Sequence, residues 1–417
     1  MSQTSRRLFV AAAGALALLA IASGARAQET PAPIPGPATT ELQTITAQRT
    51  DAGFTREVEV DGDLFGVSWN GDPEATFAIE TLETEGWTPA QEVGRMSDES
   101  QGDPGTPEAA SAEGPYATEP LWSGDARAVR VTLASGTATD IELVAVTSGQ
   151  LPDTSSTDLA SLGLGGSALL VLGLAALGTG AAARLRRGAA VAIVLVLAVT
   201  GIVLAPDDDA QAGNAGRPSH LITRSQWGAR KPQCDPGTFK KVRFAIVHHT
   251  AGGNDYGWLA GPSIVQGIQA YHMDLPGPDP YCDIAYNFLV DKYGFSYVGR
   301  AKSARVKNPI YGAHTSGHNK ASTGVSVLGN YQVAPFTTEA KRAVADVLAW
   351  RFSKYDINPL GTALSQSNGG SSRWPAGTKV TVNTISGHRK FNPTECPGIS
   401  IRKKLDAIRR QTDRKMN

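Results

Sequence analysis

Two histidines, a cysteine and a tyrosine carry the chemistry that this sequence offers. His248 ends the apolar run Phe244-Ala-Ile-Val247, and His388 and Cys396 share the stretch Ser386-Gly-His-Arg-Lys-Phe-Asn-Pro-Thr-Glu-Cys396. Imidazole and thiolate are ligands that zinc prefers. Three protein ligands leave the fourth tetrahedral position open for water or substrate, which separates a catalytic zinc from a structural one. The chain holds only 3 cysteines, too few for a closed four-thiolate site. The expectation is one zinc site made by His248, His388 and Cys396, with Tyr286 beside it. His249 should face away from His248, because successive side chains of a strand alternate. A metal-bound Cys396 would be a thiolate.

The elements that must position these residues alternate between strand and helix. Residues 243–247, 286–290, 295–298 and 324–328 read as strands. Residues 263–271 read as a helix with Ile264, Ile268 and Tyr271 on one face. Thr338 should cap a longer helix running to Lys354, where Ala340, Val344, Leu348 and Phe352 recur at helical spacing. Ile401, Leu405 and Ile408 mark a last helix. Residues 361–378, with Ser-Gln-Ser-Asn-Gly-Gly-Ser-Ser, read as a loop insertion. The expected fold class for residues 216–417 is α/β, a mixed central sheet flanked by helices.

In order along the chain come Val247-His-His-Thr-Ala251, Tyr271-His-Met, Cys282-Asp-Ile-Ala-Tyr-Asn-Phe-Leu-Val290, Gly312-Ala-His-Thr-Ser-Gly-His-Asn319 and Pro393-Thr-Glu-Cys-Pro-Gly398. This series resembles the peptidoglycan recognition protein family, also called type 2 N-acetylmuramoyl-L-alanine amidases, from about Leu221 to the C-terminus. The resemblance implies a sheet with a groove over zinc, and hydrolysis of the amide between N-acetylmuramic acid and L-alanine in peptidoglycan. It implies that Tyr286 stabilises the oxyanion, although Ala285 stands where the family motif has glycine. It places Thr394 where phage-type members carry lysine and animal members threonine, a position able to orient water or the substrate carbonyl. It implies that His314 and Asn319 bind substrate in the groove. Animal members carry a disulfide at similar places, which implies a Cys234–Cys282 bond. Non-catalytic members typically lose the thiolate ligand, so the alternative of a binding protein that does not cut is weighed on Cys396. After Gly299-Arg300, Ala-Lys replaces the Gly-Trp of animal members, so stem-peptide specificity does not carry over. His272 reads as a packing residue. No glutamate is assignable as general base, and Glu395 should point away from the site.

Charge divides the chain. Residues 28–160 carry 24 acidic and 5 basic side chains, whereas residues 216–417 carry 28 basic and 12 acidic, so a net of 0 hides segments of −19 and +16. Such a split points to separate bodies. The basic one suits an anionic polymer outside the cell, peptidoglycan or another wall polymer, and nucleic acid is a poor candidate once export is argued. Residues 1–27 read as a signal peptide, with Arg6-Arg7, an apolar run and Ala25-Arg26-Ala27; the twin-arginine route is one option. Residues 28–50 read as a flexible leader. Residues 51–150 read as a β-rich, sandwich-like extracytoplasmic domain with separate strands at 58–60 and 65–69 among others and a long loop at 96–115, in which Trp69, Trp87 and Trp122 are core rather than sugar-binding. Residues 161–183 and 188–206 are uncharged and each approaches the ~20 residues of a spanning helix. Between them lies Arg184-Leu-Arg-Arg187, which belongs on the cytoplasmic side. The reading is a transmembrane helical hairpin, with both flanking bodies outside and tethered to the membrane.

Overall fold

The structure is a computed structural model that describes residues 36–96, 102–109, 115–149, 215–276 and 281–417. The apolar segments 161–183 and 188–206 and the signal segment lie outside these residues. Among the described residues no helix is long and apolar enough to cross a membrane.

The N-terminal body is a nine-stranded antiparallel sheet of β1 (Thr39–Thr46), β2 (Thr50–Asp51), β3 (Thr55–Gly71), β4 (Thr76–Glu83), β5 (Gly86–Trp87), β6 (Gln91–Val93), β7 (Tyr116–Ala117), β8 (Leu121–Ser135) and β9 (Thr137–Thr147). Its order is β1-β9-β3-β8-β4-β5. The expected sandwich is therefore one hydrogen-bonded sheet. The two strand segments expected at 58–60 and 65–69 are both parts of β3. Its first half pairs with β8 and its second half with β9, and the register shifts around Gly62 where the partner changes. The leader expected to be flexible to residue 50 is ordered from Thr39, because β1 pairs with β9 and buries Ile45. Trp69 is fully buried against Phe77, as expected of a core residue, whereas Trp87 and Trp122 are only half-buried.

In the C-terminal body a six-stranded mixed sheet has the order β10-β13-β12-β14-β11-β17, comprising β10 (Leu221–Ile222), β11 (Phe244–His249), β12 (Phe288–Val290), β13 (Ser296–Val298), β14 (Ser322–Val327) and β17 (Ile385–Gly387). β11 runs parallel to β14 and to β17. It is buried at every position, which explains its near-continuous apolar sequence. One face packs on α2 (Thr338–Ser353), α3 (Ile399–Arg402) and α4 (Leu405–Met416), through Ala245, Val247, Val325, Val344, Leu348 and Ile408. α1 (Gly261–Asp274) buries Ile264, Ile268 and Tyr271, the face expected from their spacing.

Three local expectations are corrected. The cap of α2 is Thr337, whose hydroxyl accepts the Ala340 N–H, not Thr338. The terminal helix is two helices, α3 and α4. The insertion at 361–378 is the start of a hairpin, β15 (Thr362–Gln366) with β16 (Lys379–Asn383). Its polar side chains at Thr362, Ser365 and Gln366 hid an alternation that leaves Ser365 buried and its neighbours out.

Candidate metal centre

His248 stands near the carboxyl end of β11, and His388 follows the last residue of β17. Those ends are adjacent because Val247 pairs with Gly387 in the parallel register. The carboxyl ends of parallel strands are where open α/β sheets place their ligands. The two imidazole centroids are 4.5 Å apart. The chain then turns and returns Cys396, held by the Arg389 N–H donating to its carbonyl at 2.8 Å. The His249 N–H points at the Cys396 sulfur, 3.5 Å away. Cys396 Sγ lies 3.6 Å from His248 Nδ1, and ligand atoms of His248, His388 and Cys396 all fall within 4.8 Å of one another. A tetrahedral ion with bonds of ~2.0–2.3 Å fits such a donor set.

The His248 imidazole suits the role electrostatically. Burial holds His248 well below the usual histidine range, reinforced by the neighbouring His388, His314 and His249. A neutral ring is what a metal needs. His249 faces the opposite side, as the strand period requires. Its Nδ1 accepts the Tyr331 N–H at 3.0 Å, and burial lowers its pKa to about 4.

His314 is not on an open groove wall. It is fully buried, with Nδ1 3.1 Å from His248 Nε2 and 2.9 Å from the Thr315 hydroxyl. Two glycines make this possible. A Cβ on Gly324 of β14 would meet the His314 ring at 2.4 Å, and one on Gly312 would meet it at 2.3 Å. His314 therefore fixes the orientation of a candidate ligand, leaving His248 Nδ1 toward Cys396. Asn319 is also buried. Its side-chain oxygen accepts the His314 and Thr315 N–H groups at 2.9 and 3.0 Å, and its amide donates to Asp103 at 3.0 Å. These contacts shape the loop that carries His314.

Tyr286 sits with its ring centroid 5.5 Å from that of His248 and is 2 % exposed. Burial, with Glu119 and Cys396 nearby, pushes its phenol well above the ordinary value. It remains a hydrogen-bond donor at any working pH. Ala285 does not have the left-handed backbone that would demand glycine; its side chain packs with Met96, Tyr281 and Ala313. His272 of α1 accepts the Ala285 N–H at 3.2 Å and stacks on Tyr281. Asp283 accepts from Gln269, Ile284 and Ala301. These contacts fix the turn that presents Tyr286. The Thr394 hydroxyl accepts the Cys396 N–H at 3.2 Å. Glu395 is ion-paired with Arg389 at the surface, as expected of a residue pointing away. Cys234 and Cys282 are bonded, with Cα atoms 4.7 Å apart.

Sequence reasoning missed Glu119, Asp103 and Glu108. All three belong to the acidic half, where nothing local marks them. Only the tertiary fold brings them to the other body.

The site thus gathers two imidazoles and a thiolate that could hold a metal ion, on an α/β sheet. A protein-family model described as N-acetylmuramoyl-L-alanine amidase matches residues 238–399. Peptidoglycan-recognition protein SC2 of Drosophila melanogaster is 32% identical over 181 residues, 43% of this chain and 82% of that protein. Peptidoglycan recognition protein 1 of Bos taurus is 31% identical over 140 residues, 33% of this chain and 69% of that protein. The solved structure of Drosophila PGRP-LB aligns at 22% identity over 45% of this chain and 92% of that one, with a TM-score of 0.35. The chain belongs to the peptidoglycan recognition protein family, within its amidase-type fold.

Proposed function

We propose that this chain is a zinc-dependent N-acetylmuramoyl-L-alanine amidase. The observation that carries the proposal is the meeting of His248, His388 and Cys396 within 4.8 Å beside a buried phenol. Those three residues would hold the ion. When bound, zinc supplies a Lewis acid and an activated water. The overall reaction breaks the C–N bond between the lactyl carbonyl and L-alanine; the hydroxyl of water ends on the carbonyl carbon and a proton on the amine. Tyr286 donates to the carbonyl oxygen as negative charge grows on it. His314 holds the His248 ring, and Thr394 holds the Cys396 loop. The deciding experiment incubates the zinc-loaded protein with muropeptides and looks by mass spectrometry for a new L-alanine N-terminus. Cys396→Ser should lose both zinc and cleavage. If neither the wild-type protein nor an Asp103→Asn, Glu108→Gln variant releases such a terminus, the amidase reading is wrong.

A second reading has its own support. The relatives named above are recognition proteins, which fits a chain that binds peptidoglycan without cutting it. Retention of Cys396 favours cleavage, and binding without product in the same experiment would favour recognition.

We also read the protein as exported and tethered. The bond between Cys234 and Cys282 fits an oxidising compartment. Contacts between residues 36–149 and 215–417, such as Arg300 with Glu108, need both bodies on one side of a membrane. A hairpin of two spans at 161–183 and 188–206 satisfies that, whereas a single span does not. Its basic surface would hold anionic wall polymers. A reporter placing residues 216–417 in the cytoplasm would refute this topology.

A further inference from the structure

The acidic body does not merely accompany the basic one. It presses on the surface beside the candidate metal centre. The turn at residues 102–109 inserts two carboxylates into the C-terminal body. Glu108 meets the Arg300 guanidinium at 2.5 and 2.6 Å and accepts the Cys282 N–H at 2.7 Å. The two side chains of that ion pair are 1% and 2% exposed. Asp103 accepts from the Asn319 N–H and amide, both at 3.0 Å, and from the Asn368 amide at 2.7 Å.

Three more contacts join the two bodies. Met96 is buried against Tyr281, Ala285 and Ala313. The Thr118 carbonyl accepts the Tyr271 hydroxyl at 2.8 Å. The backbone of Trp122 lies so close to Gly253 that a Cβ there would meet its carbonyl at 2.4 Å. Cys282, Ala285 and Arg300 lie near Tyr286 in sequence or by a backbone hydrogen bond, and Ala313, Asn319 and Asn368 belong to or bond the 312–319 loop. A cavity of about 640 Å³ is walled by both bodies, with residues 90–95, Glu119 and Leu121 on one side and residues 251–254, Asn330, Gln332 and Val333 on the other.

A hydrolase of a wall polymer must admit a glycan strand with its peptide, and the site as folded leaves only Cys396 of its three candidate ligands partly exposed. His248, His388, Tyr286 and His314 are each at most 2% exposed. We propose that the acidic body is an autoinhibitory plug. Its Asp103–Glu108 turn occupies, in cis, the slot beside the metal centre that an acidic peptide would take, and substrate binds only as the turn withdraws. This rests on the peptidoglycan-directed reading above, but not on cleavage. The plugged state lowers apparent affinity by the fraction of molecules that are open.

The test uses the full zinc-loaded chain and a soluble muramyl peptide. An Asp103→Asn, Glu108→Gln variant keeps the shape of the turn and removes both charges. It should bind the peptide at least ~10-fold more tightly than wild type, as an increased open fraction requires. Equal or weaker binding by a folded variant would overturn the proposal. Hydrogen exchange on the wild-type protein covers the case in which the variant fails to fold. Saturating peptide should speed exchange in 102–109 and 116–122, and unchanged or greater protection there would overturn the plug. Cleavage is scored separately. Tighter binding by the variant with no product from either protein would leave the plug and remove the amidase. Cleavage by both at one rate and one affinity would do the reverse.

Discussion

Tyr286 and His272 have ring centroids 6.1 Å apart and make separable predictions. Tyr286→Phe removes a hydroxyl and keeps His248, His388 and Cys396, so zinc content should hold. The loss of one oxyanion donor should slow cleavage by ~100-fold; a wild-type rate would end the assigned role of the phenol while leaving the hydrolase intact. His272 acts through the fold. Its Nδ1 accepts the Ala285 N–H, and burial lowers its pKa to about 3 from 6.5, helped by Arg300. Between those values the unfolded chain takes a proton that the folded chain refuses. The stability it contributes is thus complete above pH ~6.5 and falls as pH drops toward ~3. From pH ~6.5 to ~5 the loss is about 2 kcal/mol from this residue alone. Burial of His318, lowered to about 4, pushes in the same direction. Denaturant titrations at these two pH values should show the drop in the wild type and a smaller one in His272→Gln. Equal slopes would mean that other groups control acid stability.

At the scale of elements, β14 shows how a strand can tune a site without supplying a ligand. Ile246 of β11 pairs with Gly324, and the missing Cβ at Gly324 is filled by the His314 ring. Gly324→Ala should push that ring off His248 and weaken zinc binding by ~10–100-fold, as other losses of a ligand's orienting partner do. Competition with a chromogenic chelator reads this directly, and unchanged affinity would show that His314 does not orient His248. The same elements show what was legible in the sequence. β11, β12, β14, α1 and α2 were readable because burial imprints a period on their residues. The candidate ligands were readable as a set: a lone histidine at a strand end is more often structural, but His248, His388 and Cys396 together match zinc chemistry. The placement of His314 and Asn319 was not, since their motif says only that a loop matters. Which way it faces depends on two glycines and on Asp103, more than 200 residues away in the chain. β1 and the β15–β16 hairpin were missed for another reason: edge strands bury few side chains, so their alternation is faint. β3 was split in two because Asp61-Gly62-Asp63 has turn chemistry, whereas the structure uses it to shift register.

For the whole molecule, the charge split has two separable consequences. The two bodies meet largely through buried groups: the Arg300–Glu108 pair, the Tyr271–Thr118 hydrogen bond, and an apolar cluster in which Leu64, Val144 and Val146 join Ile268, Tyr271 and Tyr286. Salt screens buried pairs weakly, so docking of one body on the other should survive high ionic strength. The cations not used there are another matter. Arg402, Lys403, Lys404, Arg410 and Arg414 are exposed along α3, α4 and their junction. An anionic wall polymer would meet these in water, where attraction fades beyond a Debye length of ~8 Å at physiological salt and ~3 Å at 1 M. Retention of the full chain on purified cell walls should therefore drop steeply between ~0.05 M and ~1 M salt. Over the same range, affinity for a short soluble muramyl peptide should change little, because that ligand would be read in a buried groove. The two curves together carry the inference. If wall retention is as insensitive to salt as peptide binding, the basic surface serves solubility alone and the groove does all the holding.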